Sequence, residues 1–252
     1  MAEPLVSVIM PVYNSEHFLE DAIRSVINQL YLNWELWLID DNSTDNSKEI
    51  ISNFTSIDKR IKSIFLTANS GTAIARNTAI LKCTGKYIAF LDADDIWLPE
   101  KLMLQINSME MNERSFTFSC YTTMDENGKD LKKTISAPKT VNYAQLLKNN
   151  TIGCLTAIYN SEKLGKMLMP EIRKRQDYGL WLNILKTGVI GYGIQQPLAI
   201  YRIRESSLSN KKTNVLKYNW ILLRKHQNLS LFSALYYFSC FLFNKTIKYM
   251  KQ

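Results

Sequence analysis

The chain predicts an α/β protein built on a mostly parallel central sheet flanked by helices. Three observations carry that expectation. Strand-like apolar runs alternate with helical patterns from residue 5 to residue 91. Those runs are apolar at nearly every position, as in strands covered on both faces. Two of them end in acidic clusters, Asp40-Asp41-Asn42-Ser43-Thr44-Asp45 and Asp92-Ala93-Asp94-Asp95. Such alternation implies right-handed crossovers and strands that point the same way. Both acid clusters then lie on the carboxyl edge of one sheet, where open α/β sheets bind ligands.

Each element has its own warrant. Residues 5–10 form the first strand, which Pro11 ends, and Val12, Tyr13 and Asn14 leave it as a loop. Ser15 is expected to cap a helix in which Phe18, Leu19, Ala22, Ile23, Val26 and Ile27 recur at helical spacing. Residues 34–39 are a second strand, and the Ser and Asp residues after it are expected to cap a helix over 48–54. Residues 61–66 are a third strand. Asn69-Ser70-Gly71 then turns into a helix over 72–82 that carries Arg76 and Asn77. Gly85 is expected to close that helix, and residues 86–91 form the fourth strand.

After a helix over 99–111 the rhythm changes. Residues 116–121 alternate as a half-buried strand, and Asp125-Glu126-Asn127-Gly128 reads as a hairpin turn. A short helix over 143–148, a strand over 154–159 and strands over 189–194 and 198–202 complete this half. Between them Arg175-Gln176-Asp177-Tyr178 opens a helix with Leu180, Trp181, Ile184 and Leu185 on its apolar side. The division expected is a first half over 1–112, a mixed second half of the same domain over 113–205, and a tail over 206–252.

The second acid cluster has two readings. Asp92 and Asp94 are two apart, so extended backbone points them the same way. Two carboxylates on one side can hold a hard divalent cation, and the cation can hold phosphates. Alternatively, Asp95 caps a helix that opens near Pro99. No G-x-G-x-x-G or G-x-x-x-x-G-K follows any strand. Bound phosphates would therefore be held through a cation or through side chains such as Arg76, not a glycine-rich nest.

Composition narrows the function classes. Of 252 residues, 46% are hydrophobic and 21% charged, as in a folded domain. The four cysteines are scattered and there are two histidines, which argues against a Cys/His zinc site. The net charge is +8, and residues 206–252 hold eight Lys/Arg and no Asp or Glu. The first 205 residues carry 23 basic and 23 acidic side chains. A balanced body argues against nucleic-acid binding, and a cationic tail argues for an acidic partner. Residues 229–243 contain no charge and many aromatics, a fifteen-residue stretch. A membrane-spanning helix needs about 20 apolar residues. The expectation is a helix that lies on an anionic membrane surface through residues 211–252. A helix packed on the body, or a dimer contact, is the other reading. The N-terminus lacks a basic segment followed by an apolar run, so no signal peptide is expected and the location is the cytoplasmic face of the membrane.

Taken together, Val8-Ile9-Met10-Pro11-Val12-Tyr13-Asn14, Ile39-Asp40-Asp41-Asn42-Ser43-Thr44-Asp45, Gly71 with Arg76-Asn77, Phe90-Leu91-Asp92-Ala93-Asp94-Asp95 and Gln176-Asp177-Tyr178-Gly179-Leu180-Trp181 resemble family 2 inverting glycosyltransferases of the GT-A fold. The order and spacing agree over residues 5–205. The segment from Arg175 and the pair Tyr201-Arg202 with Ser206-Ser207-Leu208-Ser209 are most similar to the bacterial branch that builds O-antigen, capsule or teichuronic acid.

The resemblance implies roles. Pro11, Tyr13, Asn14 and Asp41 would hold the nucleobase, Asp41 accepting from a uracil N–H. Arg76 would lie near the nucleotide. Asp92 and Ala93 would face the ribose or a metal-bound water, and Asp94 would bind Mn²⁺ or Mg²⁺. Asp177 would be the general base, and Asp95 and Arg204 would contact diphosphate or acceptor. Many relatives carry a His where this sequence has Arg204; here Arg204 would supply positive charge directly. The substrates implied are a nucleotide sugar, most simply a UDP-sugar, and a saccharide on undecaprenyl diphosphate. Two other classes stay open at this point: a nucleotidyltransferase on a similar fold, and a non-catalytic saccharide-binding or assembly protein.

Overall fold

The computed structural model describes residues 3–204 and 212–250, with side chains left aside at 212–214 and 245–250. The Ser206-Ser207-Leu208-Ser209 segment, Lys211 and Lys251 lie outside the described residues. The first half runs β1 (Val6–Val12), α1 (Leu19–Ile27), β2 (Trp34–Asp40), α2 (Ser47–Ile57), β3 (Ile61–Phe65), α3 (Thr72–Lys82) and β4 (Tyr87–Phe90). The second half runs β5 (Ile96–Trp97), α4 (Lys101–Met111), β6 (Phe116–Met124), β7 (Asp130–Ile135), β8 (Thr140–Val141), α5 (Tyr143–Lys148), a 3-10 turn (Cys154–Thr156), β9 (Ile158–Asn160), α6 (Ser161–Leu164), α7 (Gln176–Lys186) and β10 (Gly191–Arg202). The C-terminal segment is α8 (Lys212–Ile221), a π-helical turn (Leu222–His226) and α9 (Leu231–Met250).

One sheet runs through both halves in the order β3-β2-β1-β4-β9-β6-β10-β5, with β7 on β6 and β8 on β10. The first four strands are mutually parallel. Val12 stands opposite Asp40 and Ile9 opposite Phe90, so β1, β2 and β4 all end on the same edge. Beyond β4 the pairing turns mixed: β9 is antiparallel to both β4 and β6, and β6 is parallel to β10.

Alternate residues of each strand feed two cores, one per sheet face. Val8, Met10, Leu36, Leu38 and Ala89 pack with α1, α2 and α4. Ile9, Ile39, Ile88 and Phe90 pack with α3, α7 and the C-terminal residues Leu222, Leu223 and Ala234. Trp181 lies in this second core, its ring centroid 5.5 Å from Phe90 and 5.4 Å from Phe116. Truncating such a ring costs about 3–5 kcal/mol.

Several sequence expectations need correction. Strand β6 is not half-buried: it sits inside the sheet, and Phe116, Thr117, Phe118, Ser119 and Cys120 are all buried. The strand expected over 154–159 splits into the 3-10 turn and β9. The two late strands are one, β10, with register shifts on either side of Pro197, which has no N–H to give the ladder. Ser15 does not cap α1 through its side chain. Its hydroxyl donates to the Tyr13 carbonyl, and its own carbonyl accepts from Phe18 and Leu19. Gly85 does not close α3, which ends at Lys82 with Cys83 as its cap. It is needed because a Cβ there would sit 2.5 Å from Ser7 Oγ.

Candidate active site

A cavity of about 1030 Å³ opens at the carboxyl edge of β1, β2 and β4. Pocket volumes of this order accommodate drug-sized ligands. Pro11, Tyr13, Asn14, Asp41, Arg76, Asp92, Ala93, Asp94 and Arg204 all line it. The two acid clusters therefore meet as the parallel strand order requires. Asp41 follows the end of β2, and its two oxygens accept from the backbone N–H groups of Ser70 (2.7 Å) and Gly71 (2.8 Å). It thus holds the loop that opens α3. A carboxylate offers about four acceptor positions, so a ligand donor can still be met.

The Asp92-Ala93-Asp94-Asp95 segment is a turn, not extended strand: β4 ends at Phe90, and Asp95 N–H donates to the Asp92 carbonyl at 3.1 Å. Asp92 and Asp94 reach the cavity and Asp95 does not. Asp95 is 1% exposed and accepts from the Arg202 backbone N–H at 2.9 Å. Asp95 is thus neither an acceptor-side contact nor a cap. Helix α4 begins only after Glu100. Burial, then the charges of Asp94 and Asp92, push the Asp95 carboxyl well up from its ordinary range. Arg202 was not singled out for a role in this turn. Its Nε donates to the Asp94 carbonyl (2.9 Å) and its other nitrogens reach Glu126 O and Asp21, tying the turn to β10 and α1.

Two arginines answer Asp92 and Asp94. Arg76 is buried and pairs with Asp92 Oδ1. Burial works against its charge, but Asp92, with Cys154 and Asp177 further off, outweighs that and holds the guanidinium charged. Its Nε has no partner among the described residues. Asn77, the next residue, grips Met169 through both backbone groups, which fixes α3 against the loop leading to α7. Arg204 Nε lies 2.8 Å from Asp94 Oδ2. Burial raises the Asp94 pKa, the neighbouring Asp92 adds to that, and Arg204 opposes it.

This donor set suits one kind of metal. Among the described residues no cluster of three or more His, Cys, Asp or Glu forms a cage. Asp92 and Asp94 offer hard oxygens, and each keeps one oxygen outside its arginine pair. Mg²⁺, and by the same chemistry Mn²⁺, is held in this way, by one or two carboxylates with waters and substrate phosphates completing the shell.

Asp177 sits in the first turn of α7, half-buried, where a carboxylate is favoured by the helix dipole. It is not in the cavity wall, but its neighbours Gln176, Arg173, Ile172 and Glu171 are. Its charge is felt at Arg76, Cys154 and Arg175. Glu171, Ile172 and Arg173 escaped the sequence reading. The basic run Arg173-Lys174-Arg175 ahead of an apolar helix was the one signal that marked them.

Residues 7–164 match the family described as Glycosyl transferase family 2. A relative named as a putative teichuronic acid biosynthesis glycosyltransferase, TuaG of Bacillus subtilis, is 41% identical over 236 residues, covering 94% of each chain. WfgD of Escherichia coli, named a UDP-Glc:alpha-D-GlcNAc-diphosphoundecaprenol beta-1,3-glucosyltransferase, is 40% identical over 88% of this chain and 87% of its own length. Among solved structures, S. aureus TarS (residues 1–349) in complex with UDP-GlcNAc superposes with a TM-score of 0.73 at 19% identity, covering 94% of this chain and 71% of that one. That likeness is one of fold, and it bears out the GT-A architecture. With the family match over most of the body and relatives this similar along nearly the whole length, the chain belongs to glycosyltransferase family 2.

Proposed function

We propose that this enzyme is a metal-dependent inverting transferase that moves a hexose or N-acetylhexosamine from a UDP-sugar to a saccharide on undecaprenyl diphosphate, in bacterial surface-polysaccharide synthesis. The observation that carries this is one cavity that gathers Asp41, Arg76, Asp92 and Asp94 on one side, with the start of α7 at its rim. The activity named for the WfgD relative supports the same donor and acceptor classes.

In this reading Pro11, Tyr13, Asn14 and Asp41 receive the nucleoside. Tyr13 is 49% exposed in the cavity wall, so its ring is open to stack on a base. Asp94, with Asp92 beside it, would hold Mn²⁺ or Mg²⁺. Bound there, the ion neutralises the charge that grows on the departing diphosphate. Arg76 adds a second, fixed positive charge in a site of low dielectric, where such charges act most strongly. Asp177 takes the proton from the acceptor hydroxyl as its oxygen bonds to the anomeric carbon and the bond to diphosphate breaks. Attack from the face opposite the leaving group inverts that carbon. One base is enough, because the diphosphate departs without being protonated by a second carboxyl group.

The lipid carrier gives the tail a purpose. No helix among the described residues is long and apolar enough to cross a membrane. Helix α9 instead has two apolar faces. Ala234, Tyr237, Phe238 and Phe241 turn to the body, while Leu231, Phe232, Leu235, Tyr236 and Phe243 are exposed. With the basic residues that flank it, the outward face suits an anionic leaflet on the cytoplasmic side.

The test is turnover. The full chain is supplied with a panel of UDP-sugars and a lipid-diphosphate N-acetylglucosamine acceptor, and the product linkage is read by NMR. One donor should transfer with inversion, stop in EDTA and resume with Mn²⁺. Undiminished transfer in EDTA would sink the metal assignment. Binding without transfer across all nucleotide sugars would support the non-catalytic reading instead.

A further inference from the structure

Arg175 immediately precedes α7, and its backbone is left-handed, with φ 70 and ψ 16. That conformation is costly for a residue with a Cβ and persists only where surroundings over-determine it. Here the surroundings are visible. The guanidinium carbon lies 5.7 Å from the centroid of Tyr178, on α7 itself, and 5.3 Å from that of Phe241, on α9. Both distances are within cation–π range. The Arg175 carbonyl accepts from Gly179 N–H at 2.9 Å, closing the first turn of the helix. Asp177 is inside that turn.

The C-terminal segment grips α7 elsewhere as well. Gly179 leaves no room: a Cβ there would meet Pro170 Cγ at 2.4 Å and Leu222 Cδ1, in the π-helical turn, at 3.0 Å. At the far end, Gln227 donates to Asn183 Oδ1 (2.9 Å), and its carbonyl accepts from Lys186 Nζ (3.1 Å). Helix α7 is therefore fixed at both ends by residues more than 35 positions later in the chain. Two residues before Asp177, Arg175 meets the Phe241 ring of the C-terminal helix.

We infer that Arg175 and Phe241 together are a positioning pair for the carboxylate of Asp177, so that the inward face of the C-terminal helix takes part in the transfer reaction. This rests on the assignment of Asp177 as the base. It gives the two faces of α9 separate tasks: the outward face meets the membrane, and the inward face sets the geometry of the base. A displacement of about 1 Å at a catalytic group, caused by a change far from the chemistry, can cost about 100-fold in rate.

The experiment uses the full-length enzyme with a water-soluble, short-chain acceptor diphosphate, so that membrane binding does not enter. Phe241→Leu removes the ring and keeps an apolar side chain. Phe241→Tyr keeps the ring. Arg175→Gly keeps the left-handed backbone and removes the guanidinium. Phe241→Leu and Arg175→Gly should each lower kcat about 10- to 100-fold, with UDP affinity by calorimetry within about twofold. Phe241→Tyr should restore most of kcat, and the double variant Arg175→Gly with Phe241→Leu should be no slower than the slower single one, as expected for one shared contact. The inference is overturned by unchanged kcat in Phe241→Leu, by additive losses, or by losses that track the melting temperature and are shared by Phe241→Tyr. Full transfer by Asp177→Asn is a different result, which overturns the base assignment itself.

Discussion

Asp41 and Asp177 are single carboxylates beside one cavity, yet the chain holds them by different means. Asp41 follows the last residue of a parallel strand, and its oxygens are taken by two backbone N–H groups of the loop 29 and 30 residues on. Asp92 and Asp94 follow β4, on the other side of β1 and ending on the same edge, within a turn anchored to the sheet by Arg202. Asp177 rides on a helix wedged between Pro170, Leu222 and Phe241. The first arrangement follows from strand order. The second depends on tertiary packing of a segment that the strand pattern does not contain. One side of the site is thus a property of the sheet, and the other of the C-terminal helices.

The sharpest way to break this comparison is to remove one carboxylate from each side. Asp94→Ala should lower transfer on the order of 10³-fold, the scale of losing a preorganised electrostatic contact. It should also weaken UDP binding in Mn²⁺, as the proposed role of Asp94 in holding the cation requires. Asp177→Asn should lose transfer on a similar scale while calorimetry finds UDP affinity unchanged. Equal behaviour of the two variants in the binding assay would mean that the sides are not separable.

Asp41→Ala comes next. It leaves the N–H groups of Ser70 and Gly71 without their acceptor and frees the loop that opens α3. Hydrogen bonds to a charged group are worth about 1.5–3 kcal/mol each. UDP affinity should fall about 10- to 100-fold, with the kcat of donor-saturated enzyme changed much less. An unchanged affinity would show that the loop, and not the nucleotide, is the only client of this carboxylate.

How much of this could be read from the sequence follows the same division. The first four strands and their helices were legible because apolar runs and helical spacing are local signals, and parallel order forces both acid clusters to one edge. Trp181 was legible as core from its helical face. Asp95 was set apart from Asp92 and Asp94 as a cap or acceptor-side contact, but its burial was not legible, because its partner is the Arg202 N–H more than 100 residues later. Strand β10 was broken in two by Pro197, since the pattern shows a proline but not the bulge that accommodates it. The left-handed Arg175 carries no local mark at all: glycine or asparagine would have announced it, and arginine does not.

The opposite end of the sheet offers a control with a pH signature. Glu35 is buried at 3% exposure, accepts from Ser7 Oγ (2.6 Å) and Thr84 N–H (2.8 Å), and pairs with Lys62. Burial acts to raise its pKa, but Lys62, Ser7 and Thr84 outweigh that and hold it down at about 2, below its ordinary 4.5. A carboxylate lowered on folding adds stability that is fully present above its unfolded value and fades as pH falls from there toward the folded one. Glu35→Gln should cost about 1–3 kcal/mol at pH 7, a fall in melting temperature of a few degrees. The gap to the parent should close between about pH 4.5 and 2. Donor KM should not move, because Glu35 lies away from the carboxyl edge.

The smallest effect tests the two faces of α9 against each other. Phe232 is 85% exposed and Phe241 is buried, though both sit on one helix of the same apolar segment. If the outward face meets lipid, Phe232→Ser removes part of a contact that is only interfacial, not fully buried, and each such ring is worth less than the 1.5–3 kcal/mol or so of complete burial. Sedimentation with vesicles of mixed phosphatidylglycerol and phosphatidylethanolamine should then show partitioning about three- to tenfold weaker, falling further in high salt as the basic flank is screened. Transfer to a water-soluble acceptor should be untouched by Phe232→Ser, whereas Phe241→Leu should have the opposite profile, normal partitioning with slow transfer. A Phe232→Ser variant that loses soluble transfer would mean that the outward face also supports α7, and the division of labour between the two faces would fall.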